Sequence, residues 1–72
     1  MATTLYTRQG CAHCDELRRA LHEAGRRFVE IDLTEHPEAV PELLKLTRGR
    51  RIVPVLVDGA RIAIAPDGGA EF

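Results

Sequence analysis

Residues 3–7 (Thr-Thr-Leu-Tyr-Thr) carry polar and apolar side chains in the short-period pattern of a strand. Arg8-Gln9-Gly10 breaks that pattern as a turn. From Ala12 the period lengthens. Cys14, Leu17, Leu21 and Ala24 recur at helical spacing, with Arg18, Arg19, His22 and Glu23 mostly off that face. Gly25 is a natural helix stop. Phe28–Leu33 predicts a second strand, and Thr34 or His36 stands where a cap is needed before Pro37 and Glu38. Val40, Leu43, Leu44 and Thr47 form the next helical stripe, closed by Gly49. Pro41 lacks the amide that a helix begun at Pro37 would use, so a distorted first turn or a restart at Pro41 is expected. Val53–Val57 predicts a third strand with Pro54 near its start, where a missing N–H is tolerated. Asp58-Gly59 is a hairpin signal, Arg61–Ala65 a fourth strand, and Pro66–Gly69 a loop.

The order β-α-β-α-β-β implies an α/β fold. The first βαβ unit requires parallel strands joined by a right-handed crossover, and the final hairpin is antiparallel. A four-stranded mixed sheet with two helices follows, as a single domain over residues 1–72 with no room for a third full helix. No repeat or low-complexity stretch interrupts it.

Composition narrows the possible functions. With 72 residues, 44% of them hydrophobic and 29% charged, the chain has material for one small core. The absence of Trp makes that core mostly aliphatic. Ten basic residues against eleven acidic ones give a formal charge of -1, which argues against nucleic acid as the main partner. The cations are nonetheless clustered: Arg18-Arg19, Arg26-Arg27, and Arg48, Arg50 and Arg51 before Val53. Most of these suit solubility and helix C-termini, while the Arg50–Arg51 pair could face an anionic ligand. The N-terminus shows no basic region followed by an apolar run, and no stretch is long enough to span a bilayer. A cytoplasmic location without membrane attachment is expected.

The only two cysteines stand at Cys11-Ala12-His13-Cys14, between the first strand and the first helix. In a reducing compartment a structural staple is disfavoured, which leaves redox or metal chemistry. Helical spacing brings the two sulfurs to one side of the first turn. Cys11 is expected to be the more exposed and Cys14, on the Leu17–Leu21 stripe, the more buried. Cys11 is then the nucleophile and Cys14 the resolving thiol, both catalytic. Helix N-terminal amides favour a thiolate, and Arg8 and His13 are placed to tune it further. A structural zinc site needs four ligands. His13, His22 and His36 do not complete one with conventional spacing, so no metal is expected.

Three stretches together resemble the glutaredoxin family of the thioredoxin fold: Leu5-Tyr-Thr-Arg-Gln-Gly-Cys-Ala-His-Cys14, Leu46-Thr-Arg-Gly-Arg-Arg-Ile-Val-Pro54 and Gly68-Gly69. The resemblance covers nearly the whole chain and looks closest to short bacterial glutaredoxin-like redoxins, some of which carry selenocysteine. It implies a cis Val53–Pro54 bond facing the dithiol, with the Val53 main chain pairing with a bound peptide. It also implies a glutathione site made of Arg8, Val53, Pro54, Gly68, Gly69 and Glu71. The Ala12-His13 spacer departs from the usual Pro-Tyr, Ile52 replaces the usual Thr, and the closing helix is missing.

The resulting expectation is a monomeric thiol–disulfide oxidoreductase with no tightly bound cofactor. Its substrates would be disulfide-containing or glutathionylated proteins. Glutathione as co-substrate, or a thioredoxin-reductase-type flavoprotein, would return the electrons. Two alternatives come from other classes: a glutathione-dependent [2Fe–2S] cluster carrier, and a non-catalytic module that binds extended peptides.

Overall fold

The central strand β1 (Thr3–Thr7) is apolar enough to be covered on both faces, and Leu5, Tyr6 and Thr7 are all buried. The computed structural model describes residues 3–72; Met1 and Ala2, part of the N-terminal segment read above, lie outside them. After β1 come α1 (Ala12–Glu23), β2 (Val29–Asp32), a 3-10 turn (Pro37–Ala39), α2 (Val40–Thr47), β3 (Ile52–Val53), β4 (Val55–Asp58), β5 (Arg61–Ile64) and β6 (Ala70–Glu71). The main sheet has the order β2-β1-β4-β5. β1 runs parallel to β2 and antiparallel to β4, and β4–β5 is an antiparallel hairpin. This is the four-stranded mixed sheet with two helices expected from the sequence.

The register divides the side chains between two faces. Tyr6 lies opposite Ile31 and Val55, and Val55 opposite Ile64, so these four share one face. α2 covers that face: Leu43 joins Tyr6, Val53 and Val55 in the buried cluster, and the Tyr6 hydroxyl donates to Glu42 Oε1 at 2.8 Å. Leu5 and Glu30 point to the other face. There α1 is tied down by Arg18, whose Nε and Nη2 donate to the two oxygens of Glu30, both at 2.6 Å. Nη1 of Arg18 reaches Asp15 at 2.7 Å, and buried Thr7 donates to Glu30 at 2.8 Å. One guanidinium thus holds α1, β1 and β2 in a fixed relation through paired charge-assisted bonds.

Several boundaries moved from their expected places. The third strand is split at Pro54 into β3 and β4, with a cis Val53–Pro54 bond. Proline offers no N–H to a ladder, so continuous pairing cannot cross it. Phe28, Leu33 and Ala65 fall outside strands; Ala65 has a positive φ of 45°. The 3-10 turn at Pro37–Ala39 followed by α2 from Val40 is the restart expected near Pro41. α2 ends on Arg48 in the left-handed region, one residue before Gly49. In the hairpin, Asp58 pairs with Arg61, so the two loop residues are Gly59 and Ala60. Only Gly59 has positive φ, the pattern of a type II′ turn. The β3–β6 ladder had no counterpart in the sequence reading. Among the described residues, no helix is long and apolar enough to cross a membrane.

Arg18 holds the Glu30 carboxyl below its ordinary value, with Thr7 adding to the effect against burial. A carboxyl depressed in the folded state contributes stability above its unfolded value and loses it as pH falls through the folded one. Urea unfolding across pH 7 to 3 is therefore expected to show stability declining below the ordinary value of 4.5. Glu30→Gln should be less stable at neutral pH and lose less on acidification. An acid limb as steep as the parent's would contradict this account.

Candidate active site

α1 begins where its sequence lets a thiol act as a cap. Cys11 is the N-cap residue with extended φ/ψ (−100°, 106°), and its Sγ accepts the Cys14 N–H at 3.1 Å. Its own carbonyl accepts the Asp15 N–H at 3.2 Å. A side-chain acceptor for an otherwise open N–H is what helix starts require, a role usually filled by Ser, Thr, Asp or Asn. Both cysteines are free.

Cys11 is the more exposed of the two thiols, as expected, but it too is buried, at 4% relative exposure against 0% for Cys14. The cap explains this. To reach the Cys14 amide, Sγ turns inward, into the cluster of Tyr6, Leu33, Leu43, Val53 and Val55. Cys14 is the inner thiol, as expected. Burial pushes it up to about 12, helped by a hydrogen bond and electrostatic repulsion from Cys11, while a hydrogen bond with the Arg8 backbone and the charge of Arg18 act the other way. Cys14 is therefore a protonated thiol at neutral pH.

The flanking residues His13 and Arg8 lie against the C-terminal part of the chain. His13 lies close to Gly68, and its Nδ1 is buried without a hydrogen-bond partner. It lines a cleft of about 260 Å³ with Glu16, Leu17, Pro54, Asp67 and Gly68. The Arg8 guanidinium lies 4.9 Å from the centre of the Phe72 ring, and that of Arg51 lies 5.0 Å from it. Arg51 Nε also donates to the Phe72 carbonyl at 2.9 Å. Val53 and Pro54 are buried next to the dithiol. Gly68-Gly69 lies against His13 and the Val53 carbonyl, while Glu71 is exposed opposite Ile52. The structure thus gathers Cys11, Cys14, His13, Val53, Pro54, Gly68 and Gly69 at one end of the fold, and draws Arg8 to Phe72. Arg51 and Phe72 were not singled out together by sequence. A two-residue strand is too short to show periodicity, and the alternation Ala70-Glu71-Phe72 was the only available signal. Among the described residues, no three His, Cys, Asp or Glu side chains converge as a metal site.

Comparison with known proteins places this geometry in context. The glutaredoxin family profile matches residues 3–62. The N-acetyl-S-hydroxy-L-cysteine reductase of Bacillus subtilis (strain 168) is 34% identical over 55 residues, 76% of this chain and 58% of that protein. The glutaredoxin-like protein NrdH of Escherichia coli (strain K12) is 36% identical over 59 residues, 82% of this chain and 70% of its own length. A solved structure of Escherichia coli NrdH-redoxin, described as accounting for a thioredoxin-like activity profile, superposes with a TM-score of 0.78 at 33% identity. That match covers 89% of this chain and 82% of the other.

Two buried protons predict an alkaline limb. Tyr6 is raised to about 12 by burial and by the hydrogen bond and charge of Glu42, and Cys14 to about 12 as described. The unfolded chain releases these protons first, near 9.0 for Cys14 and 10.0 for Tyr6, so it binds fewer protons than the native state and stability falls as pH rises. Denaturant titrations under reducing conditions from pH 8 upward should show this decline, and Tyr6→Phe and Cys14→Ala should each flatten it. Curves that run parallel to the parent's would refute the assignment.

Proposed function

The chain belongs to the glutaredoxin family, and on that premise we propose that it is a dithiol–disulfide oxidoreductase acting on protein disulfides through Cys11 and Cys14. The asymmetry of the two sulfurs carries this reading. Cys14 is held protonated in the interior, whereas Cys11 Sγ sits at the open end of α1 and accepts a helix N–H. Of the two, Cys11 is the sulfur placed to attack.

In the first step Cys11 gives up its proton and its sulfur attacks one sulfur of the substrate disulfide in line. A new S–S bond forms as the old one breaks, and the departing thiolate takes up a proton. In the second step Cys14 gives up its proton and attacks Cys11 Sγ, expelling the remaining substrate thiolate, which is protonated in turn. The substrate gains two electrons and two protons, and the chain keeps a Cys11–Cys14 disulfide. The raised Cys14 favours this order. It remains a thiol until the mixed disulfide has formed, and its short tether to Cys11 then makes the second attack intramolecular. Val53, beside cis Pro54, is the main-chain edge on which an extended substrate would be held.

Two reductants are proposed for the return half-cycle. A thioredoxin-reductase-type flavoprotein is favoured by the thioredoxin-like profile of the similar NrdH-redoxin. Glutathione is the second, with Arg8, Gly68-Gly69 and Glu71 as its candidate contacts, although Arg8 and the glycine pair already have partners within the chain.

Insulin disulfide reduction, followed as turbidity, separates the roles. Cys11→Ser should fall to background. Cys14→Ser should accumulate a covalent mixed disulfide visible by mass spectrometry. Reduction of the oxidised chain by NADPH with thioredoxin reductase should exceed that by glutathione with glutathione reductase. Full activity in Cys11→Ser would end the proposal.

A further inference from the structure

Val53 has one free main-chain edge after Pro54 interrupts the strand, and in this chain that edge is occupied by the chain itself. β6 runs antiparallel to β3, with Val53 opposite Ala70 and Ile52 opposite Glu71. The Phe72 N–H donates to the Arg51 carbonyl at 3.0 Å, extending the ladder one pair further. Hydrogen-bonded pairs alternate along an antiparallel ladder. Arg51–Phe72 is one such pair, so Val53–Ala70 is the next, and both polar main-chain groups of Val53 are spent on Ala70. Pro54 has no N–H to pair in any other register.

Two further features seat this segment. A Cβ on Gly69 would come to 2.5 Å from the Val53 carbonyl oxygen and 2.8 Å from Ala65 Cβ, so only glycine permits the approach. At the far end the Phe72 ring lies against the guanidinium groups of Arg8 and Arg51, at 4.9 and 5.0 Å, with Arg51 also bonded to its carbonyl. Phe72 packs against the buried cluster that contains Cys11 and Val53. None of residues 69–72 falls within the stretch that matches the family profile, which ends at Ile62.

We propose that residues Gly69–Phe72 form an internal strap that occupies the substrate edge of Val53 and keeps Cys11 covered. An extended disulfide-bearing peptide must displace it to reach the nucleophile. This rests on the reading of Val53 and Cys11 as the substrate site. The strap mimics the main chain of a substrate without offering a sulfur, so it competes for the edge and undergoes no reaction. Arg8 and Arg51 are its anchors, and the two cations become free to meet a partner's acidic or aromatic side chains when it lifts.

The test uses the 72-residue chain with Gly69→Ala and Phe72→Ala, each checked for folding by circular dichroism. The readouts are the rate of iodoacetamide alkylation at Cys11, localised by mass spectrometry, and the rate of insulin reduction. A strap closed in at least about nine-tenths of molecules lowers apparent reactivity roughly tenfold, so both rates should rise by about that factor in Gly69→Ala and by less in Phe72→Ala. Alkylation needs no turnover. Faster alkylation without disulfide reduction would uphold the strap and overturn the reductase reading. Unchanged alkylation in both folded variants would overturn the strap and leave the reductase reading intact. Should either variant fail to fold, hydrogen exchange on the parent decides. Protection at the Ala70 and Phe72 amides, weaker than at Leu5 and Val55, is expected, and exchange at the free-peptide rate would overturn the strap.

Discussion

An N–H at the start of a helix has to be bonded, and here the acceptor for the Cys14 amide is the Cys11 sulfur. Much of the site follows from that one contact. It fixes Cys11 at the boundary of α1, turns its sulfur toward the interior and brings it beside the Cys14 thiol, whose burial keeps it protonated. A hydroxyl or carboxylate in the same place would cap the helix equally well. Only a thiol adds a nucleophile to the cap.

That cap would be of little use on a loosely held helix. α1 is fixed to its own face of the sheet by Arg18, which grips both oxygens of Glu30 while Thr7 bonds the same carboxylate. The groups are partly exposed, so the pair adds modestly to stability, but its planar geometry fixes orientation. Tyr6 and Glu42 perform the matching function for α2 on the other face. Each helix is therefore anchored to the parallel pair β1–β2 by a polar contact as well as by packing.

The parts of this arrangement that sequence disclosed are those set by periodicity and by residues with one strong local preference. The shift from strand to helical spacing at Ala12 located α1, Pro41 marked the restart of α2, and Asp58-Gly59 placed the hairpin within one residue. The spacing of Cys11 and Cys14 narrowed the chemistry to redox or metal binding, and the stripe through Leu17 and Leu21 correctly put Cys14 inside. Sequence missed what depends on contacts between distant residues. The inward turn of Cys11 is a hydrogen-bonding choice that no pattern records. The β3–β6 ladder joins residues nearly twenty positions apart through two-residue strands, too short to leave a period. Gly68-Gly69 is legible in sequence only as a turn resembling one that holds a ligand. Its surroundings, the His13 ring and the Val53 carbonyl, are those of a backbone laid closely against its own chain.

Because the β3–β6 ladder is intramolecular, its closure does not depend on protein concentration. A segment tethered by a short loop competes at an effective concentration on the order of millimolar. A peptide competing for the same edge binds with an apparent affinity lowered by the closing equilibrium of the segment, so weak binders fail at ordinary concentrations. The tether thus acts as an affinity threshold, selecting partners by the total strength of their engagement rather than by one recognised side chain.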